Sequence, residues 1–152
     1  MSSARGQANH ALYLAGILID AWRRDLEAES VATVTLTQAY LPAVRSHLTR
    51  AYGWFLLEIS RPDQPPPEPP TCTGELPEVV TGKAVPPEIR ECAILEREGW
   101  LAQVLEEGGA PVVSSSSNLA MPVTDPGLPE ATQWVEQLRQ LFDRMGDSLD
   151  EY

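Results

Sequence analysis

The run Pro65-Pro66-Pro67-Glu68-Pro69-Pro70 does more than any other stretch to limit what this chain can become. A proline ring holds φ at about −65° and removes a backbone donor, so consecutive prolines take an extended polyproline II path and stay out of helices. The segment that carries the run, RPDQPPPEPPTCTGELPEVVTGKAVP (61–86), therefore separates an N-terminal helical part from a C-terminal one. A second irregular connection, GGAPVVSSSSNLAMPVTDPGL (108–128), divides the C-terminal part again. Loops beyond ~15 residues are uncommon in compact domains and are usually functional or disordered. Each connection holds a short apolar patch, Glu78-Val79-Val80 and Pro111-Val112-Val113. These are expected to lie over the folded part or to pair as a minimal two-stranded element.

Between the breaks the chain reads as helix. Ala8, Leu12, Ala15, Ile19, Trp22 and Leu26 recur at spacings of three and four and predict a first helix over 6–29. A second is expected over 36–60, opening with the capping-box pattern Thr35-Leu36-Thr37-Gln38 and burying Val44, Leu48, Ala51, Phe55 and Ile59. Pro42 predicts a kink or a frayed first turn there. A third, over 87–107, starts at Pro86-Pro87-Glu88 and stops at Gly108-Gly109. The fourth, over 129–150, starts at Pro129-Glu130 and presents Trp134, Val135, Leu138, Leu141, Phe142, Met145 and Leu149 on one side. Four amphipathic helices predict one all-α domain spanning 1–152, a four-helix bundle in its simplest up-down-up-down order.

Charge bears on the partners. The net charge is −11, and residues 1–60 contribute nothing to it, holding five arginines against five acids. Of the eleven basic and twenty-two acidic residues, 61–152 therefore keep six and seventeen. That sign disfavours direct binding to a phosphate backbone and suits solubility or a basic protein partner. No stretch approaches the ~18 apolar residues of a membrane span, and the N-terminus lacks the pattern of a secretion signal. Two irregularly placed cysteines, Cys72 and Cys92, fit neither a disulfide framework nor a zinc site, which points to the reducing cytoplasm.

Two surfaces stand out as candidate sites. On the second helix His47, Arg50, Trp54, Glu58 and Arg61 follow one line at spacings of three and four. They form either a partner or ligand strip, or a seam in which His47 and Trp54 pack while Arg50, Glu58 and Arg61 make helix-surface ion pairs. On the first helix His10, Tyr13, Leu14, Ile17, Asp20 and Arg24 lie opposite the core stripe. An apolar second side implies a second neighbour, a loop folded over it or another copy of the chain. Of the four tryptophans, Trp22 and Trp134 fall near one end of such a bundle, Trp100 near the middle and Trp54 near the other end, so they read as distributed core anchors rather than one aromatic cage.

Catalytic signatures are missing. There is no phosphate-binding glycine loop, nucleophile elbow, zinc-binding His-Glu-x-x-His or paired Glu-x-x-His of a di-iron centre. Ser114 to Ser117 have no identifiable base beside them and read as loop. Neither a cofactor nor a metal is expected. Arg5-Gly-Gln-Ala-Asn-His10 is similar to the Arg-x4-His pattern of the HEPN ribonucleases, helical domains in which Arg and His act together on RNA. In that family the motif stands near the start of a late helix, whereas here it opens the first. Over most of its length, above all in NHALYLAGILIDAWRRDLEAES and AYLPAVRSHLTRAYGWFLLEISRPD, the chain resembles a small bacterial family of helical proteins with no assigned function. That resemblance implies a bacterial, cytoplasmic protein and carries no site residues.

The expected function is thus non-enzymatic: a cytoplasmic bundle acting by protein–protein interaction, with an acidic C-terminal part for a basic partner and self-association through the first helix. The alternative is a small-molecule sensor or an enzyme of unfamiliar type, with a pocket lined by His47, Arg50, Trp54 and Glu58.

Overall fold

The computed structural model describes residues 3–62, 64–77, 84–106 and 126–150. The described elements are all helical. The apolar patches 78–80 and 111–113, the serine run 114–117 and the Gly108-Gly109 stop lie outside the described residues.

Helix α1 (Ala4–Ala28) begins at Ser3, whose hydroxyl accepts the Gly6 N–H at 2.9 Å. It ends on Glu29, left-handed at φ 54°, whose N–H reaches the Leu26 carbonyl. Its stripe is buried as the spacing predicts, with Leu26 partly covered. Helix α2 (Thr33–Ser60) starts earlier than the Thr35–Gln38 capping box would have it. Ala32 takes the extended cap conformation without a side-chain bond, and its carbonyl accepts the Leu36 N–H at 3.0 Å. Thr35 and Gln38 are consequently exposed within the helix, while the Thr37 hydroxyl bonds back to the Thr33 carbonyl at 3.1 Å. The first turn does not fray at Pro42, which sits exposed inside a continuous helix. An outward-facing proline leaves the carbonyl it cannot serve, that of exposed Gln38, open to water.

The expected helix over 87–107 is two helices, α3 (Pro87–Glu98) and α4 (Trp100–Leu105). Gly99 breaks it with an extended backbone, while its N–H still caps the Leu95 carbonyl at 3.0 Å. A β-carbon on Gly99 would stand 2.9 Å from Leu95 Cδ2 and 3.2 Å from the Leu95 Cα and carbonyl oxygen, so a larger residue there would have to displace the Leu95 side chain. Helix α5 (Leu128–Asp150) buries Trp134, Val135, Leu138, Leu141, Phe142 and Met145, with Leu149 packed at the edge.

Helix α2 packs against each of the other four helices. The cross-helix pairs set the directions. Arg5, at the start of α1, meets Glu58 and Asp150, at the ends of α2 and α5. The α5 residues Arg144 and Ser148 meet Glu91 and Glu88 of α3 in reverse order. Thus α2 and α5 run one way, and α1 and α3–α4 the other. In the centre Phe55 stacks on Phe142 with centroids 4.2 Å apart, and toward the α1–α2 turn Trp22 stacks on Tyr40 at 5.8 Å.

The proline-rich segment is part of the packed structure. A β-carbon on Gly53 would lie 2.0 Å from the Pro70 carbonyl oxygen and 3.0 Å from Pro69 Cβ. Pro70 is buried there, and the chain then turns through a short 3-10 turn (Thr73–Glu75) that lies on α3.

Candidate functional site

The strip on α2 is divided: His47, Trp54 and Glu58 are partly buried, whereas Arg50 and Arg61 are exposed. Glu58 keeps only 15% of its side chain exposed and accepts from Arg61 at 3.2 Å, with Arg5 of α1 at 3.6 Å. Arg61 also closes the helix in a left-handed conformation at φ 42°. Trp54 packs against the core, and Arg50 is exposed. His47 is half-buried, and its Nδ1 has no hydrogen-bond partner among the described residues. Burial holds the His47 imidazole below its ordinary range, reinforced by the charges of Arg50 and His10. Exposed His10, assigned by spacing to the outer face of α1, is therefore also within electrostatic reach of the α2 strip.

The rest of that outer face is open. Tyr13 is 65% and Ile17 46% exposed, Leu14 is half-buried at the edge, and Asp20 and Arg24 are exposed. Asp20 accepts from Arg23 at 3.2 Å. Arg5 of the Arg-x4-His pattern is engaged by Glu58 and Asp150, at the ends of α2 and α5.

Trp22 rests on Tyr40, and Trp134 lies under the Arg45 guanidinium, 5.3 Å from carbon to ring centroid. Arg45 also donates to the Gln103 carbonyl at 3.2 Å, and the Trp134 N–H points to the Gln103 side chain at 3.4 Å. This cluster ties α2, α4 and α5 together.

A polar network that spacing does not reveal lies between α2, the 3-10 turn and α3. Tyr52 is fully buried, and its hydroxyl donates to Glu96. The same carboxylate accepts the Thr73 N–H at 2.9 Å and the Thr73 hydroxyl at 3.0 Å. Cys92, one helical turn before Glu96, is fully buried beside Tyr52, and burial pushes its thiol up to about 12. Burial likewise pushes the Tyr52 phenol up. A thiol so protonated is a poor nucleophile, so the group acts as a clamp for the turn. On the other side of Thr73 opens a cleft of about 350 Å³ walled by Leu76, Pro77, Val85, Pro86, Ile89 and Ala93, with Ser60 and Arg90 as polar members.

A smaller, more polar cleft of about 230 Å³ lies at the end of the α5 seam, where Arg5, Asn9, Asp143, Asp147 and Asp150 surround the Phe55–Phe142 stack. His47, Arg50, Trp54 and Glu58 line neither cleft. Among the described residues no group of three or more His, Cys, Asp or Glu is placed to hold a metal ion. No protein-family model, curated protein or solved structure matches the chain.

Proposed function

We propose that this chain is a non-enzymatic binding module that acts by docking another protein. The observation that carries the reading is α1, where Tyr13 and Ile17 stand in water on a helix whose opposite side is buried. Apolar groups held out on a regular helix are suited to cover by a partner. Exposed Asp143, Asp147 and Asp150 of α5, beside the start of α1, support a basic partner, drawn in by long-range attraction and held by apolar contact. Self-association through the same face is the homotypic form of this reading. The cytoplasm is the expected compartment: Cys72 and Cys92 are both free thiols. No helix among the described residues is long and apolar enough to cross a membrane.

The test is a pull-down from nuclease-treated lysate of the native host at low and high salt, beside sedimentation velocity of the pure protein. A stoichiometric partner, or a dimer, should be lost on Tyr13→Ser with Ile17→Ser. Glu91 and Glu136 are already paired with Arg144 and Arg139, so the informative charge changes are Glu98→Gln and Asp143→Asn. These should flatten the salt dependence of binding to a basic partner. A protein that stays monomeric and captures nothing under either condition would end this reading.

A further inference from the structure

We propose that the cleft between the end of α2, the 3-10 turn and the first turns of α3 binds a small carboxylic acid with an apolar body. At about 350 Å³ it falls at the lower end of the ~300–1,000 Å³ range of small-molecule sites. Its walls are mostly aliphatic and proline side chains, which offer an apolar body burial and no hydrogen bonds.

Its two uncommitted polar groups specify the other end of the ligand. The Ser60 hydroxyl is buried and has no hydrogen-bond partner among the described residues, an arrangement that native proteins seldom leave unused. Arg90 is exposed on the cleft wall. It makes no ion pair among the described residues, as is also true of Arg24, Arg45, Arg50 and Arg97, but of these five it alone lines the cleft. A hydroxyl donor and a free guanidinium match a carboxylate, and a guanidinium is built to grip both of its oxygens. The acids beside the lining residues are engaged elsewhere: Glu75 accepts from the Thr71 N–H and hydroxyl, and Glu88 accepts from the Ser148 hydroxyl. Glu96 lies behind Thr73 and already accepts from Tyr52 and from both donors of Thr73. That network also holds the 3-10 turn in place as the far wall, so the cleft is shaped before a ligand arrives.

The experiment is a titration of the full chain, isotope-labelled for amide NMR, with octanoate, octanol and octylamine. Octanoate should give saturable shifts concentrated at Ser60, Thr73, Gly74, Ile89 and Ala93, with octanol weaker and octylamine weakest. Arg90 is exposed and makes no ion pair among the described residues, so Arg90→Gln should leave the fold intact. It should weaken octanoate at least about tenfold and octanol hardly at all. Ala93→Leu, with its helicity checked by circular dichroism, should reduce binding of both by filling the cleft. Shifts that never saturate, that map instead to Tyr13 and Ile17, or that are the same for octylamine and octanoate would overturn the proposal. So would octanoate binding that survives Arg90→Gln unchanged.

Discussion

Helices α1 and α2 pack against each other, yet they meet their surroundings in opposite ways. In α1 the buried residues form one stripe, and Tyr13 and Ile17 on the far side remain in water. In α2 between Ala51 and Leu57 only Trp54 escapes full burial. The cause is the number of neighbours: this half of α2 is enclosed by α1, α3, α5 and the proline-rich segment lying on Gly53. A helix with one neighbouring layer shows an amphipathic pattern, whereas one enclosed on all sides must be apolar or small around its circumference.

The contrast can be broken most sharply at the centre. Phe55→Ala removes half of the stack with Phe142 and opens a cavity in the enclosed helix, so it should cost about 3–5 kcal/mol in urea unfolding. Tyr13→Ala, on the open side of α1, should stay within about 0.5 kcal/mol. A comparable loss at both positions would mean that the outer side of α1 is covered in the isolated protein.

Glycine sharpens the comparison. Replacing a helical glycine by alanine ordinarily stabilises by up to about 1 kcal/mol, and Gly16→Ala in α1 should do so because its β-carbon would meet nothing within 4 Å. Gly53→Ala should instead cost about 2–3 kcal/mol, since the new carbon would collide with the Pro70 backbone. If Gly53→Ala were neutral by the same unfolding measurement, the proline segment would not be docked on α2.

The most gradual effect concerns pH. The Cys92 thiol has an ordinary value of 9.0 and is pushed up to about 12 by burial. Above pH 9 the unfolded chain gives up this proton while the native protein keeps it, so stability should fall as pH rises, until the native thiol ionises near 12. One proton limits the slope to about 1.4 kcal/mol per pH unit. Tyr52, raised by the same burial, acts in the same direction above its ordinary value of 10.0. Cys92→Ala should flatten the thiol's share in urea titrations at pH 8, 9 and 10. An unchanged slope would show that the thiol is not shielded.

The legible part of the molecule is the part governed by local chemistry. Apolar residues at helical spacing identified α1, α5 and the main stripe of α2. Pro87, at the head of α3, and Pro129, in the first turn of α5, marked the starts of those helices. The break at Gly99 was not legible, because an isolated glycine is tolerated inside many helices, and its extended backbone here is seen only in the folded structure. The α2 strip was legible as a line of residues, but not its pairing of Glu58 with Arg5, which depends on where α1 begins against the end of α2. The cleft was hidden for a similar reason: Ser60, Thr73 and Arg90 come from three elements with no common spacing.

What the sequence determined by itself is the all-helical class, the places where helices cannot continue and which side of α1 and α5 turns inward. These follow from proline stereochemistry and from the 3.6-residue repeat, both local. Only the tertiary structure decided that α2 would be enclosed, that Pro70 would dock on Gly53, and that Tyr52, Thr73 and Glu96 would meet. Such contacts depend on how many neighbours each helix acquires and on the path of the connections, and no local repeat encodes either.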